Sequence, residues 1–264
     1  MATFAVTMVK DEADVIAGTL RHMADEVDEL IVADNGSVDG TRDVLADLTI
    51  DLPMTVLDDP DPAYHQSAKM TSLAALAAES GAEWIVPFDA DELWFHHVDR
   101  VGVVLSGLDP EIGYVSAAIV NHFRTSLDEP DVDPFRSMVW RQRDPQRLGK
   151  IAFRWETGAI VHQGNHGVTL PSGRPGTPVL SIRHFPYRSP EQMITKAVNG
   201  AAAYAATDYA PSVGAHWRAY GQIHDRLGDA GIREVFQTHF WYLSPTDSGL
   251  VRDPAPYLRW ASGG

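Results

Sequence analysis

Two aspartates, Asp89 and Asp91, stand two residues apart at the end of a short apolar run that begins after Gly81. Such a run predicts a buried strand. Alternate residues of an extended backbone point to the same side, so the two carboxylates can converge on one hard cation or on a ribose. In open α/β sheets, ligands bind beyond the carboxyl ends of the strands. The pair therefore predicts a metal or nucleotide site at such an edge.

The same residues also fit a structural role. Asp89 and Glu92 have the spacing of a capping box, in which two side chains satisfy the first N–H groups of a helix. A cap explains one aspartate and the glutamate but leaves Asp91 without a function, and we therefore favour the metal site.

A second polar loop, Asp34 to Thr41, separates a predicted strand from a predicted helix. Gly36 and Gly40 permit tight turns there and Ser37 or Asp39 can cap the helix, so an ordinary strand–helix connection explains the loop. The functional alternative uses Asp34, at the end of the strand, as a hydrogen-bond acceptor for a nucleotide base or ribose. A dinucleotide site of the Rossmann type is excluded, because the loop at residues 10–13 contains no glycine.

Histidine and basic side chains add candidates for the same site. His184 follows a predicted strand and can complete a carboxylate-rich metal shell, although a half-buried structural histidine is an equal alternative. His162 and His166 have the spacing of zinc ligands on a helix, but the glycines around them argue against a helix. The cations available for a diphosphate, each also explained as surface charge, are Lys69, Arg183, Arg188 and Lys196.

Charge and composition limit the partners of this chain of 264 residues. Its formal net charge is -15, whereas a protein that neutralises phosphates needs a basic face, so we expect no nucleic-acid partner. The absence of cysteine excludes disulfides and thiolate ligands. No signal-like N-terminus and no apolar run of membrane-spanning length is present, so we expect a cytoplasmic protein without a transmembrane segment.

The elements that must position these residues alternate along the first third of the chain. Periodicity predicts strands at 4–9, 29–33, 54–57 and 84–88, and helices at 12–25, 41–48 and 66–79. This alternation predicts a mainly parallel sheet covered on both faces. The rest is less regular, with strands predicted at 112–120, 138–140, 151–153 and 179–182, a loop-rich stretch at 158–176, and helices at 192–204 and 217–227.

Taken together and in order, the motifs resemble the family 2 glycosyltransferases, most closely a bacterial branch with an Asp-Ala-Asp-Glu signature. The matching segments are Thr7–Glu12, Asp34–Thr41 and Asp89–Glu92, with weaker likeness at Gly164–His166 and Arg183–Ser189. The resemblance implies the α/β GT-A fold, with a mainly parallel central sheet and helices on both faces.

The resemblance also implies a domain organisation. We expect residues 1–189 to form the glycosyltransferase domain, with a nucleotide-sugar half at 1–95 and an acceptor half at 96–189. Residues 190–264 would form a helical extension packed on the same domain.

The activity implied is a metal-dependent transfer, with inversion, of a sugar from a nucleotide-diphosphate donor to an acceptor hydroxyl. By resemblance Asp34 would contact the base, and Asp89 would contact ribose or metal. Asp91 would ligate Mn²⁺ or Mg²⁺, with His184 as the candidate third ligand. The remaining residues expected at the donor are Val9, Glu12, Gly36, Ser37, Lys69, Ala90 and Arg188.

The chain departs from the family pattern in two places. Asp11 stands where many members have asparagine, and the usual motif for the catalytic base is not recognisable. Glu156 and His166 are the candidates for that base, because a position in the second half suits the acceptor side.

Two other functions remain open. An Asp-x-Asp pair after a strand is also typical of haloacid-dehalogenase-like phosphohydrolases, with Asp89 as nucleophile. There the pair follows the first strand, whereas three strand–helix units precede it here. A module that binds nucleotide sugars without turnover is the third possibility. The acceptor of a transferase would be a glycan, a lipid-linked sugar or a small molecule.

Overall fold

The computed structural model describes residues 1–129 and 133–254. The first strands are β1 (Ala2–Val9), β2 (Glu29–Asp34), β3 (Met54–Asp58), β4 (Ala82–Pro87), β5 (Glu92–Phe95) and β6 (Ile112–Thr125). The helices between them are α1 (Ile16–Glu26), α2 (Thr41–Leu48), α3 (Gln66–Glu79) and α4 (Val101–Ser106). The predicted bounds of α2 and α3 agree with the structure, whereas α1 begins four residues later than residue 12.

In the described part of the second half, the α-helices are α5 (Pro134–Ser137), α6 (Pro190–Ala205) and α7 (Ala215–His239). Its longer strands are β8 (Lys150–Arg154) and β12 (Leu180–His184). Its two-residue strands are β7 (Trp140–Arg141), β9 (Ile160–Val161), β10 (Val168–Thr169), β11 (Arg174–Pro175), β13 (Trp241–Tyr242) and β14 (Val251–Arg252).

The central strands form a parallel sheet in the order β4, β1, β2, β3. Beyond β4, strand β8 pairs antiparallel with both β4 and the first half of β6. The fold class predicted from the sequence, a mainly parallel α/β sheet, is confirmed.

Side chains of the central strands alternate between two apolar cores. Leu30 and Val32 of β2 pack with residues of α1, α2 and α4, whereas Ile31 and Ala33 pack with residues of α3. Successive side chains of a strand point to opposite faces, so this sheet is apolar on both faces and a helix layer covers each. This is the arrangement that the first third of the sequence predicts.

The structure excludes the capping-box alternative for the segment after the aspartate pair. Glu92 begins strand β5, which pairs antiparallel with β12, so no helix starts there and the capping-box interpretation is wrong. The Glu92 side chain nevertheless accepts the Asp89 N–H at 3.1 Å, as it would in a capping box. The same local hydrogen bond therefore closes a turn between two strands.

The chain divides into two compact units that interleave along the sequence. The first contains residues 1–59, 66–120 and 144–184, and the second contains residues 60–65, 121–143 and 185–264. The predicted domain boundary divides the chain once, between residues 189 and 190. The second unit instead combines the C-terminal part with residues 121–143, which come from earlier in the chain. In that unit β7 pairs with residues of β6 and with β14, which joins chain segments that are distant in sequence.

Helices α6 and α7 form the second unit's own apolar core, around Met193, Ala197, Ile232 and Phe236. Helix α7 is interrupted at Gly228, whose φ is 61°, so the helix predicted at 217–227 covers only its first half. The strand predicted at 138–140 is also inaccurate, because only Trp140 is paired. Across 1–129 and 133–254, no helix has the length and apolarity needed to cross a membrane.

Candidate functional site

The polar loops of the first unit meet where its parallel strands end. Val9, Asp34 and Asp58 are register partners across β1, β2 and β3. Strand β4 runs parallel to β1, and the Phe88 N–H donates to the Val6 carbonyl at 3.0 Å. The loops after these four strands therefore share one edge, which is where open α/β sheets bind ligands.

The loops after β1 and β2 are cross-linked by hydrogen bonds. The Asp11 N–H donates to Ser37 Oγ at 3.0 Å, and the Val38 N–H donates to Asp11 Oδ1 at 2.7 Å. Asp11 has a φ of 53°, a left-handed conformation that aspartate and asparagine tolerate better than most residues. Either residue can accept the Val38 bond, so the departure from asparagine at position 11 preserves this turn.

Glu12 and Asp39 complete the same connection. The Glu12 N–H donates to Thr41 Oγ1 at 2.9 Å, and the Thr41 hydroxyl donates to Asp39 Oδ1 at 2.6 Å. Burial alone would raise the pKa of Asp39, but the Thr41 hydroxyl and nearby N–H groups outweigh it and lower that pKa. Glu12 is buried in this network, and Asp39 rather than Ser37 supports the start of α2.

Asp34 is buried at the end of β2 and fixed on two sides. The Ser37 N–H donates to both of its oxygens at 3.3 Å, across a turn in which Gly36 has a φ of 73°. Arg42 Nη1 lies 3.4 Å from Asp34 Oδ2. Each carboxylate oxygen has two lone pairs, so Asp34 retains capacity to accept from a ligand.

Lys69 is held beside these loops in an ion pair. Its Nζ lies 2.6 Å from Asp59 Oδ2, and the Asn35 side-chain amide donates to the same oxygen at 2.8 Å. The structure therefore places this predicted diphosphate cation near the ends of β2 and β3. Its charge is balanced by Asp59, which the sequence did not indicate.

Two apolar members of the predicted donor set, Val9 and Ala90, are buried. The Val9 carbonyl accepts the Asn35 N–H at 2.8 Å, and the Ala90 carbonyl accepts the Thr19 hydroxyl at 2.5 Å. Their contribution here is to hold the loops through the backbone.

A buried lysine lies between two carboxylates after β4. Lys150 Nζ is 2.5 Å from Asp89 Oδ2 and 3.1 Å from Glu92 Oε1. The exposed fraction is 5% for the Lys150 side chain, 0% for Glu92 and 34% for Asp89, so only Asp89 reaches solvent. Burial alone would lower the pKa of Lys150, but the two carboxylates outweigh it and raise that pKa. Lys150 therefore stays charged, and its single positive charge is shared between Asp89 and Glu92.

Asp91 forms a separate pair with His184. The His184 Nε2 is 3.4 Å from Asp91 Oδ1, and Asp91 is buried. The pair is held by adjacent strands, because His184 lies opposite Glu92 where β12 pairs with β5. A carboxylate and an imidazole suit Mn²⁺, and Mg²⁺ is often held by one or two carboxylates with substrate phosphates and water.

Of the three predicted metal ligands, Asp89, Asp91 and His184, this geometry favours only the last two. Over the ranges 1–129 and 133–254, no three or more His, Cys, Asp or Glu side chains are grouped so as to hold an ion. Asp91 and His184 are paired, whereas both oxygens of Asp89 have other partners, Lys150 and Asn165. The chain thus offers two ligands, which fits an ion whose other positions are filled by a diphosphate and water.

The turn containing Asn165 and His166 belongs to the same site. The Asn165 Nδ2 donates to Asp89 Oδ1 at 3.1 Å, and His166 Nδ1 lies 2.8 Å from the Gly149 carbonyl oxygen. A carbonyl only accepts, so Nδ1 bears the proton and Nε2 is the basic nitrogen. Desolvation lowers the pKa of His166, which keeps the imidazole neutral at pH 7.

Glu156, the other predicted base, lies at the opposite edge of the sheet. Strand β8 runs antiparallel to β4 with Arg154 opposite Trp84, so Glu156 follows β8 beside the amino end of β4. Its Oε2 accepts from the Ser172 N–H at 2.8 Å and the Ser172 hydroxyl at 2.9 Å. This position does not suit a base for a reaction near Asp89.

Arg188 belongs to the second unit and is 1% exposed. Its Nη1 donates to the Phe185 carbonyl at 3.0 Å, and its own carbonyl accepts from Arg124 Nε at 2.7 Å. The guanidinium holds the turn before α6, which does not fit the predicted contact with a diphosphate.

Sequence reasoning missed Lys150, Asn165 and Asp59. Lys150 precedes an apolar strand, and its position resembles that of a solvated residue at a strand end. Asn165 follows Gly164 in a short motif that resembled the family, and this was the only signal for it. Asp59 lies directly after β3, and Asp34 is the last residue of β2. No motif or spacing in the sequence marks Asp59 as a site residue.

Comparison with known proteins identifies the family of this chain. The family model described as "Glycosyl transferase family 2" matches residues 5–166, from β1 through His166. Among solved structures, the chain is similar to "Crystal structure of S. aureus TarS 1-349", with a TM-score of 0.41 and 10% identity, covering 87% of this chain and 73% of that one. For the same fragment "in complex with UDP-GlcNAc", the TM-score is 0.40 and the identity 11%, covering 90% and 76%. No curated protein matches the chain.

Proposed function

The chain belongs to glycosyltransferase family 2, and from this premise we propose that it transfers a sugar from a nucleoside-diphosphate donor to an acceptor hydroxyl in the presence of Mn²⁺ or Mg²⁺. It is a glycosyltransferase with the GT-A fold. The observation that supports metal dependence is the pair of buried Asp91 and partly exposed His184 beside Asp89. The family match gives no support to the alternative function, a phosphohydrolase with Asp89 as nucleophile.

The donor side is formed by the chain's own acceptors and cations. Asp34 accepts a hydrogen bond from the nucleoside, and Lys69 lies near the ends of β2 and β3 with its ammonium on Asp59. Asp91 and His184 would hold the ion. When bound, such an ion neutralises charge that develops on the leaving nucleoside diphosphate.

The acceptor side requires a base, and His166 is the remaining candidate. Its protonated Nδ1 bonds the Gly149 carbonyl, which orients Nε2 to take a proton from an acceptor hydroxyl. A hydroxyl deprotonated there attacks the anomeric carbon from the face opposite the diphosphate, and the configuration inverts. The hydroxyl would belong to a glycan, a lipid-linked sugar or a small molecule.

Nucleoside diphosphates are expected to raise the unfolding temperature of the protein only when Mn²⁺ or Mg²⁺ is present. A ligand that binds only the native state stabilises it, by about 2.7 kcal/mol at a concentration of 100 Kd. Thermal unfolding with a panel of nucleoside diphosphates, with metal or with EDTA, measures this effect. The cognate nucleotide sugar should also be hydrolysed slowly. Hydrolysis of small phosphoesters would instead favour the phosphohydrolase, and binding without turnover would favour a binding module.

His166→Gln is expected to lower kcat by about 100-fold, the lower range for loss of a positioned general base. The metal-dependent rise in unfolding temperature should be unchanged, because the donor contacts remain. The measurement is release of nucleoside diphosphate from the nucleotide sugar that stabilises the protein best. His162→Gln, in the same turn, is the matched control and should retain activity. A normal kcat in His166→Gln would mean that another group is the catalytic base.

A further inference from the structure

An open cleft lies in the first unit, at the edge of the sheet opposite Asp89. Its volume is about 830 Å³, which is within the range of ligand pockets. The residues that line it come from the segments 110–113, 154–156 and 170–174. Trp155 and Leu170 supply apolar surface, and both also pack against the core on the α3 side of the sheet. Glu156, which the donor site does not use, lines the same cleft.

The wall formed by residues 170–174 is fixed by its contacts. The Arg174 N–H donates to the Glu111 carbonyl at 3.1 Å, and the Arg174 guanidinium lies 2.9 Å from the Glu111 carboxylate. Gly173 has a φ of 70°, and a Cβ added there would lie 2.8 Å from Glu156 Oε1. The close approach therefore requires glycine. A wall that is already ordered spares a ligand the entropic cost of ordering it.

Glu156 uses only one of its oxygens to hold this wall. Oε2 accepts from the Ser172 N–H at 2.8 Å and from the Ser172 hydroxyl at 2.9 Å. These bonds leave Oε1 without a hydrogen-bond partner among the residues that the structure describes. The indole N–H of Trp155 has no partner there either. Since both side chains are partly exposed in the cleft, they offer a ligand one acceptor and one donor.

The charges around the cleft disfavour an ionic ligand. Two guanidinium groups, of Arg154 and Arg174, line it together with two carboxylates, of Glu111 and Glu156. Glu83, which pairs with Arg154, adds a further negative charge. The carboxylates oppose an anion such as a phosphate, and the guanidinium groups oppose a cation. A neutral ligand rich in hydroxyls fits better, because each hydroxyl both donates and accepts.

We propose that this cleft binds a neutral saccharide segment of the acceptor, with the Trp155 indole packed on the apolar face of a sugar ring and Glu156 accepting from its hydroxyls. An aromatic ring supplies a large apolar surface, and a carboxylate is a strong acceptor. The inference rests on the proposed function and deepens it, because it makes the acceptor a glycan.

The distance between the cleft and the donor site determines the size of such an acceptor. The Trp155 N–H donates to the Glu83 carbonyl at 2.9 Å, and Asp89 follows Glu83 by six residues. At about 3.3 Å per residue, the two places are at most roughly 20 Å apart along the strand direction. A molecule that occupies both must therefore be a chain of sugars and not a single sugar.

The probes are neutral, acidic and amino-containing oligosaccharides on a glycan array, applied to the full chain in EDTA without nucleotide. We expect neutral glycans to bind, because neither Asp91 nor His184 lines the cleft. The neutral glycan with the strongest signal is then titrated by calorimetry. Its affinity for Glu156→Gln should fall about tenfold, since the amide can keep its oxygen on Ser172 but turns a donor towards the ligand. Glu79→Gln, at the exposed end of α3, is the matched control and should bind as the wild type does.

Trp155→Leu adds a readout that belongs to the cleft alone. In spectra of ¹⁵N-labelled protein, the indole signal missing from this variant identifies Trp155, and the glycan should shift that signal in the wild type. Loss of the ring should weaken binding about tenfold or more. If Trp155→Leu does not fold, Glu156→Gln carries the test, because Glu156 is partly exposed and its contacts with Ser172 can persist.

The acceptor role is measured in the transfer reaction. With the cognate donor and metal present, the KM for the glycan should rise about tenfold in Glu156→Gln. A fall in kcat without a change in KM would overturn the acceptor role.

The remaining outcomes separate this inference from the proposed function. Binding of no neutral glycan, binding confined to acidic or amino-containing glycans, or equal affinity of Glu156→Gln would each overturn the saccharide cleft while the donor site stands. An unshifted Trp155 signal would do the same. A protein that binds neutral glycans in this cleft but no nucleoside diphosphate would overturn the proposed function, and the acceptor role with it.

Discussion

Asp91→Asn is expected to abolish metal-dependent binding of nucleoside diphosphates and to lower kcat/KM for sugar transfer by about 100-fold or more. That is the size of effect seen when a single group that stabilises developing charge is removed. The substitution keeps the shape of the side chain and one oxygen, so the packing after β4 should persist. What is lost is the negative charge, which an ion bound there requires.

The geometry explains why no neighbour can compensate. Asp89 is engaged by Lys150 and Asn165, and Glu92 is fully buried against Lys150. We therefore expect Asp91 to be the carboxylate that binds the cation. His184→Asn should be milder, and a higher Mn²⁺ concentration should restore much of its activity, because the carboxylate is still present.

The measurements are calorimetric binding of Mn²⁺ and of the diphosphate, and release of diphosphate from the nucleotide sugar. Asp51→Asn, an exposed residue between α2 and β3, is the matched control for loss of one charge. If Asp91→Asn kept its activity, and the wild type kept its own in EDTA, the metal role of the pair would be refuted.

The positions of the aspartates were predictable, but their partners were not. Local apolar periodicity located β1, β2 and β4, and parallel strands bring Asp34 and Asp89 to one edge whatever lies between them. Lys150 and Asn165 reach Asp89 from 61 and 76 residues away. Such contacts depend on how β8 pairs with β4, and no local spacing encodes that pairing.

The errors have the same physical origin. Glu92 was considered for a helix cap because a capping box and a strand-to-strand turn use the same bond, from Glu92 to the Asp89 N–H. Only the pairing of β5 with β12 distinguishes the two. Glu156 was placed on the acceptor side by sequence position, yet the antiparallel direction of β8 carries it to the opposite edge.

Lys150→Met is expected to have the largest effect on stability, lowering the free energy of unfolding by about 3–5 kcal/mol, as when one partner of a buried ion pair is removed. Glu92 is 0% exposed, so its carboxylate would be left buried beside an apolar side chain. Asp89 is partly exposed and solvent would screen it, so most of the loss comes from Glu92.

A double-mutant cycle with Glu92→Gln measures how much of the loss comes from the uncompensated Glu92 carboxylate. The glutamine keeps an oxygen for the Asp89 N–H and the Trp94 indole N–H, both of which bond Glu92 Oε2. It also removes the charge that Lys150→Met leaves uncompensated. The double variant should therefore be more stable than Lys150→Met alone, although it carries one more substitution.

Urea denaturation of the four proteins in EDTA measures the cycle. Additive losses, or a loss below about 1 kcal/mol for Lys150→Met, would mean that Lys150 orients Asp89 without compensating Glu92, and that other interactions offset the buried carboxylate.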